Sequence, residues 1–68
     1  MSTTQTFTVT GMTCGHCVAS VTEEVQEISG VQDVAIDLPT GAVTITSAAP
    51  LDESAVQAAV EEAGYQLA

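Results

Sequence analysis

An α+β sandwich built from one small domain is what this sequence predicts, and three observations predict it. The 68 residues are 46% apolar, enough for one compact core and too apolar for a disordered tail. Runs of alternating polarity, the period of a half-buried strand, are interspersed with two longer runs of helical period. Gly and Pro fall between these runs rather than inside them.

Thr6 to Thr10 alternates polar and apolar residues and reads as a strand with Phe7 and Val9 inward. Gly11 breaks that run. From His16 to Ser29, the apolar residues Val18, Val21, Val25 and Ile28 recur at helical spacing, with Ser20, Glu23, Glu24 and Glu27 opposite. Gly30 supplies the left-handed residue that ends a helix. β-Branched valines are only fair helix formers, so packing must hold this segment together. Val31 to Leu38 reads as a second strand with Val34, Ile36 and Leu38 on one face. Pro39-Thr40-Gly41 is a turn, and Ala42 to Thr46 a third strand burying Val43 and Ile45, so the pair forms a hairpin. After the short loop Ser47 to Pro50, Leu51 to Ala63 reads as a second helix. Asp52 and Glu53 suit its start, Gly64 its end, and Val56, Ala59, Val60 and Ala63 form its apolar stripe. Tyr65-Gln66-Leu67 is a short closing strand. The order β-α-β-β-α-β is the ferredoxin-like split βαβ arrangement, one antiparallel four-stranded sheet with two helices on one face. Residues 1–68 are taken up by this single domain.

Charge narrows the partners. There are nine acidic residues and no Lys or Arg, for a net charge of −9. Phosphate backbones and anionic membrane surfaces are repelled, so neither nucleic acid nor membrane is an expected partner. No apolar run approaches the length of a membrane span. Met1 to Thr10 lacks the basic and apolar stretches of a secretory signal, so a cytoplasmic location is expected. There, two close cysteines stay reduced and serve metal binding or catalysis more often than a structural crosslink.

The two cysteines of the chain lie in Gly11-Met12-Thr13-Cys14-Gly15-His16-Cys17, between the first strand and the first helix. A helix start offers unpaired N–H groups and partial positive charge, which favour thiolate over thiol. Three readings compete. Two thiolates suit a soft monovalent ion, above all Cu(I), whereas structural zinc wants four ligands and the chain supplies only His16 and scattered carboxylates besides. The same placement suits a thiol–disulfide oxidoreductase, although neither Pro39 nor Pro50 is positioned as that fold requires. The third is a disulfide or an inert thiol pair.

The seven-residue loop, with Val18 to Val25 behind it and Ala63-Gly64-Tyr65 near the end, resembles the heavy-metal-associated domain family, most nearly its bacterial cytoplasmic copper chaperones. The resemblance covers essentially the whole chain. It implies that Cys14 and Cys17 bind Cu(I), and that Met12 supports the loop from the core without binding metal. Thr13 resembles the copper-type loop, where zinc- and cadmium-handling relatives often carry Asp. His16 is read first as a solvated side chain pointing outward, with tuning of the thiolates or a third ligand in a copper-bridged dimer as the functional alternatives. Tyr65 aligns with a position close to the metal loop, which implies that it shields the site, bonds near a sulfur or serves as a third ligand, or else closes the core beside Val9. The implied partner is the metal-binding domain of a copper-transporting P-type ATPase, or a copper-responsive regulator. The implied state is a monomer when metal-free, and whether copper bridges two copies into a dimer is left open. Met1 at the start and termination at Ala68 favour a free-standing carrier over a regulatory domain cut from the ATPase. One departure stands out: eukaryotic relatives dock through Lys near the site, and nothing here can do so. The outer face of the first helix, with His16, Ser20, Glu23 and Glu27, is instead expected to meet neutral or basic groups.

Overall fold

The computed structural model describes residues 2–68. Along them run β1 (Thr3–Thr10), α1 (Gly15–Gln26), β2 (Val31–Asp37), β3 (Ala42–Ser47), α2 (Glu53–Glu62) and β4 (Gln66–Leu67). The strands form one four-stranded sheet in the order β2-β3-β1-β4, every neighbouring pair antiparallel. This is the ferredoxin-like arrangement the element order predicts.

The core is aliphatic, as one Phe, one Tyr and no Trp require. Val9, Val43 and Ile45 of the sheet meet Val21 and Val25 of α1 and Val56 and Val60 of α2. Burying each such side chain contributes about 1.5–3 kcal/mol before chain entropy is set against it. With so few of them, no position in the stripe is dispensable.

Element ends differ from the pattern, each for a local reason. β1 begins at Thr3 rather than Thr6, because Thr3, Thr4 and Gln5 pair with Ser47, Thr46 and Ile45 of β3. The inward residue there is Gln5, whose side chain accepts from the Leu51 N–H at 2.8 Å and donates to the Leu51 carbonyl at 3.2 Å. That clasp holds Leu51 out of α2, which therefore starts at Glu53 rather than Leu51 and ends at Glu62 rather than Ala63. α1 starts at Gly15 and stops at Gln26 rather than Ser29. Glu27 and Ile28 donate to Glu24 and Val25, three residues back, which tightens the last turn out of α-helical register. Ile28 still packs on the core. β2 ends at Asp37, leaving Leu38 in the turn, and a register shift interrupts its pairing between Val31 and Asp33. β3 runs on to Ser47, a fully buried hydroxyl that donates to the Ala49 carbonyl at 2.8 Å. β4 excludes Tyr65, whose N–H is taken by the Val60 carbonyl closing α2.

The β2–β3 turn reaches across to β1. Gly41 donates to the Asp37 carbonyl and, through its own carbonyl, accepts from the Val9 N–H, both at 2.8 Å. Its φ is +76°, and a Cβ there would collide with the Val9 carbonyl. Only glycine satisfies both conditions. Gly41→Ala is accordingly expected to destabilise the domain by about 2–4 kcal/mol, measured by urea unfolding, with little change in the spectrum of the folded state.

Candidate metal centre

The loop leaving β1 turns at Gly11, φ +91°, and delivers Met12 back against the core while Thr13 and Cys14 stay exposed. Cys14 is the cap of α1, with extended backbone (φ −158°, ψ 176°) and no side-chain capping bond. Its carbonyl accepts from the N–H groups of Cys17 (3.1 Å) and Val18 (3.3 Å), which starts the helix. The helix start therefore keeps uncapped N–H groups and their partial positive charge beside the sulfurs.

The two thiols are not equivalent. Cys14 is exposed, whereas Cys17 is 8% exposed and heads the buried stripe Cys17, Val21, Val25 of α1. Their sulfurs lie 3.6 Å apart, within reach of a single ion. The Thr13 hydroxyl stands 3.9 Å from the Cys17 sulfur. The Cys17 thiol is lowered from 9.0 to about 6. Hydrogen bonding from the Thr13 backbone is the largest cause, followed by the Tyr65 hydroxyl and, more weakly, the backbone and thiol of Cys14; desolvation works against them. The Tyr65 phenol is raised in turn, first by this bond to Cys17 and then by burial, so it remains a donor.

Of the residues the sequence singles out, Cys14 and Cys17 are brought together, and Met12 supports the loop from the core. Tyr65 arrives from beyond α2, packs on the core and lies against Gly11, where a Cβ would sit 3.4 Å from the ring. His16 is exposed. Among the described residues no group of three or more His, Cys, Asp or Glu side chains is arranged to hold an ion, so His16 does not complete a three-donor site within the chain. On the outer face of α1, Glu23 is exposed, Ser20 half-buried, and Glu27 lies one residue beyond the helix. Thr13 is the contributor to the Cys17 environment that the sequence pattern does not show, since it acts chiefly through its backbone N–H.

The family model of the heavy-metal-associated domain matches residues 6–66. The copper chaperone CopZ of Enterococcus hirae is 42% identical over 67 residues, covering 91% of each chain. Copper-transporting ATPase 1 of Rhizobium meliloti is 36% identical over 63 residues, which are 93% of this chain and 8% of that one, so the chain spans only a small part of that relative. A solved structure described as the CopZ metallochaperone superposes with a TM-score of 0.89 at 28% identity, over 97% of this chain and all of that one.

Folding lowers the Cys17 pKa, so between about 6 and 9.0 the unfolded chain binds more protons than the folded one. The reduced, metal-free domain is therefore expected to gain stability as pH rises through that window and to lose it as pH falls toward 6. Urea midpoints across the range check this, alongside thiolate ultraviolet absorbance. Tyr65→Phe removes the second-largest stabilising donor and should move the thiolate transition upward.

Proposed function

Because this chain belongs to the heavy-metal-associated domain family, we propose that it is a copper carrier without catalytic turnover, holding Cu(I) between the thiolates of Cys14 and Cys17. The observation that carries this reading is the sulfur pair, 3.6 Å apart at an uncapped helix start, with no group of three or more His, Cys, Asp or Glu side chains arranged to hold an ion among the described residues. Soft, low-coordinate ligation by two thiolates suits Cu(I) and leaves zinc short of ligands. The relatives named for copper, a chaperone matched over nearly its whole length and an ATPase matched over one segment, support the same cargo.

The asymmetry of the pair gives the transfer a direction. Cys17 is held by the core and by its donors, whereas Cys14 is exposed. An incoming partner thiolate adds to the ion from the Cys14 side and forms a three-coordinate bridge. Cys14 then leaves, a second partner thiolate adds, and Cys17 leaves last. No step strips the ion of all its sulfurs, so tight retention and quick hand-over are compatible. Tyr65 and Thr13 lower the cost of Cys17 as an anion, and Met12 holds the loop in place. The receiving protein is a copper-transporting P-type ATPase or a copper-responsive regulator, and the working location is cytoplasmic. His16, exposed between the ligands, is placed to serve as an extra ligand only when two copies share an ion.

Thiol–disulfide exchange remains the second reading, favoured by the lowered Cys17 pKa and the sulfur separation. It predicts catalysed reduction of a disulfide substrate by metal-free protein, whereas the carrier takes up Cu(I) stoichiometrically. Anaerobic Cu(I) titration with native mass detection separates the two and reports any copper-bridged dimer. Cys17→Ser is expected to stay folded and to lose its copper to a competing chelator; full retention would defeat the two-thiolate assignment. Charge reversal at Glu23 and Glu27 to Lys should slow transfer to the true partner several-fold at low salt, read by stopped-flow exchange, with copper affinity unchanged.

A further inference from the structure

The two outer edges of the sheet are not alike. β2 carries Asp33 and Asp37 and a register shift, all of which discourage another strand from pairing with it. The opposite edge has neither device. β4 covers β1 only at Val9 and Thr10, and the Ala68 N–H adds one bond to the Thr8 carbonyl at 2.8 Å. Backbone groups alternate sides along a strand. Thr8 faces β4 and Val9 faces the β2–β3 turn, so Thr4 and Thr6 direct their N–H and C=O groups outward, with no partner among the described residues. This stretch is uncharged, since the first carboxylate in the chain is Glu23.

The edge has an acidic neighbour. α1 packs over β2 and α2 over β4, and Glu62 of α2 acts on Glu24 of α1, so Glu62 marks the flank of α2 turned inward. Glu53, Gln57 and Glu61, a row spaced four apart and all exposed, share the other flank of the helix, which, with α2 over β4, is the flank on the open-edge side of the sheet. Gln57 Nε2 donates to Glu61 Oε2 at 3.0 Å, which keeps that row in line. No Lys or Arg in the chain can neutralise it.

We propose that the open edge of β1 from Thr3 to Phe7, with the Glu53–Gln57–Glu61 flank of α2 beside it, is a strand-addition site for an extended basic segment of a partner protein. Main-chain bonds to Thr4 and Thr6 hold such a segment, and its alternate side chains, if Lys or Arg, face the carboxylates of α2. A second copy of this chain is the poorer occupant, because pairing through this edge sets Glu53 and Glu61 against their own copies. The site sits at the far end of β1 from the cysteine loop, several residues away at about 3.3 Å each. A tail bound there leaves both sulfurs accessible and raises the local concentration of the protein that carries it. The proposal is independent of the metal assignment and holds for the metal-free chain.

The test is titration of the metal-free 68-residue chain with a synthetic peptide alternating Val and Lys, followed by amide NMR. The expected result is shifts centred on Thr4, Thr6 and Thr8, amide exchange at Thr4 and Thr6 slowed by about tenfold or more, and binding that weakens with salt. Glu53→Gln and Glu61→Gln should each weaken it by about two- to fivefold. Thr6→Pro, which deletes an outward N–H, should abolish it; if that variant does not fold, the two Gln variants carry the test. Equal binding of a Val–Glu alternating peptide overturns the proposal, as do shifts confined to α1 and the cysteine loop. Protection of Thr4 and Thr6 that grows with protein concentration, without peptide, overturns it in favour of a second copy.

Discussion

One helical stripe ties the chemistry of this molecule to its core. Cys17, Val21 and Val25 follow one another at four-residue spacing on the buried side of α1. The register that seats the two valines against Val43, Ile45, Val56 and Val60 therefore also fixes the Cys17 sulfur. Packing at native density leaves little freedom for a helix to slide or rotate, so the position of this sulfur is set by aliphatic contacts well below it. Cys14, one residue outside the helix, shares none of that constraint. A rigid sulfur and an exposed one, side by side, is the arrangement that a hand-over by stepwise ligand exchange needs.

Electrostatics supplies the second constraint. With no cationic side chain, every carboxylate in the chain repels every other, and the structure manages this by placement. The first twenty-two residues, which hold β1, the loop and both cysteines, carry no acidic side chain at all. The carboxylates gather on the helices and on β2. Glu24 shows the strain of that crowding: burial raises its pKa, with Glu27, Glu62 and Glu23 adding to the effect. Keeping acid away from the loop matters because a nearby carboxylate would oppose thiolate formation. Here the local influences on Cys17 are hydrogen bonds instead.

The fold was legible because its signals were redundant. Valines at helical spacing, alternating strands, and glycines at the breaks each point to the same element order. What escaped the pattern were positions where a polar residue does a structural job. Gln5 faces inward and clasps Leu51, so the true start of β1 has no apolar alternation to reveal it. Ser47 is buried yet satisfied by Ala49, so the end of β3 reads as loop. At the site, the cysteine pair announces itself by spacing and type, and Met12 by the resemblance of its loop to the family's. Tyr65 is placed near the loop by the resemblance alone, because spacing cannot show how α2 closes or that the ring lies against Gly11. Thr13 acts chiefly through its backbone, which any residue type has, so its sequence identity says little about that part.

The contacts that finish the loop have a consequence for biosynthesis. Both cysteines leave the ribosome ahead of the residues that enclose them, since synthesis runs from the N-terminal to the C-terminal side. Gly41, which anchors the end of β1, and Tyr65, which lies against Gly11 and helps to lower the Cys17 pKa, are added much later. During translation the nascent chain thus displays a Cys-x-x-Cys pair without the donors that tune it or the core that fixes it. The site matures only after Tyr65 has been made, when the long-range pairing of β1 with β3 and β4 can form at last. In that interval neither sulfur has the surroundings it meets in the folded domain.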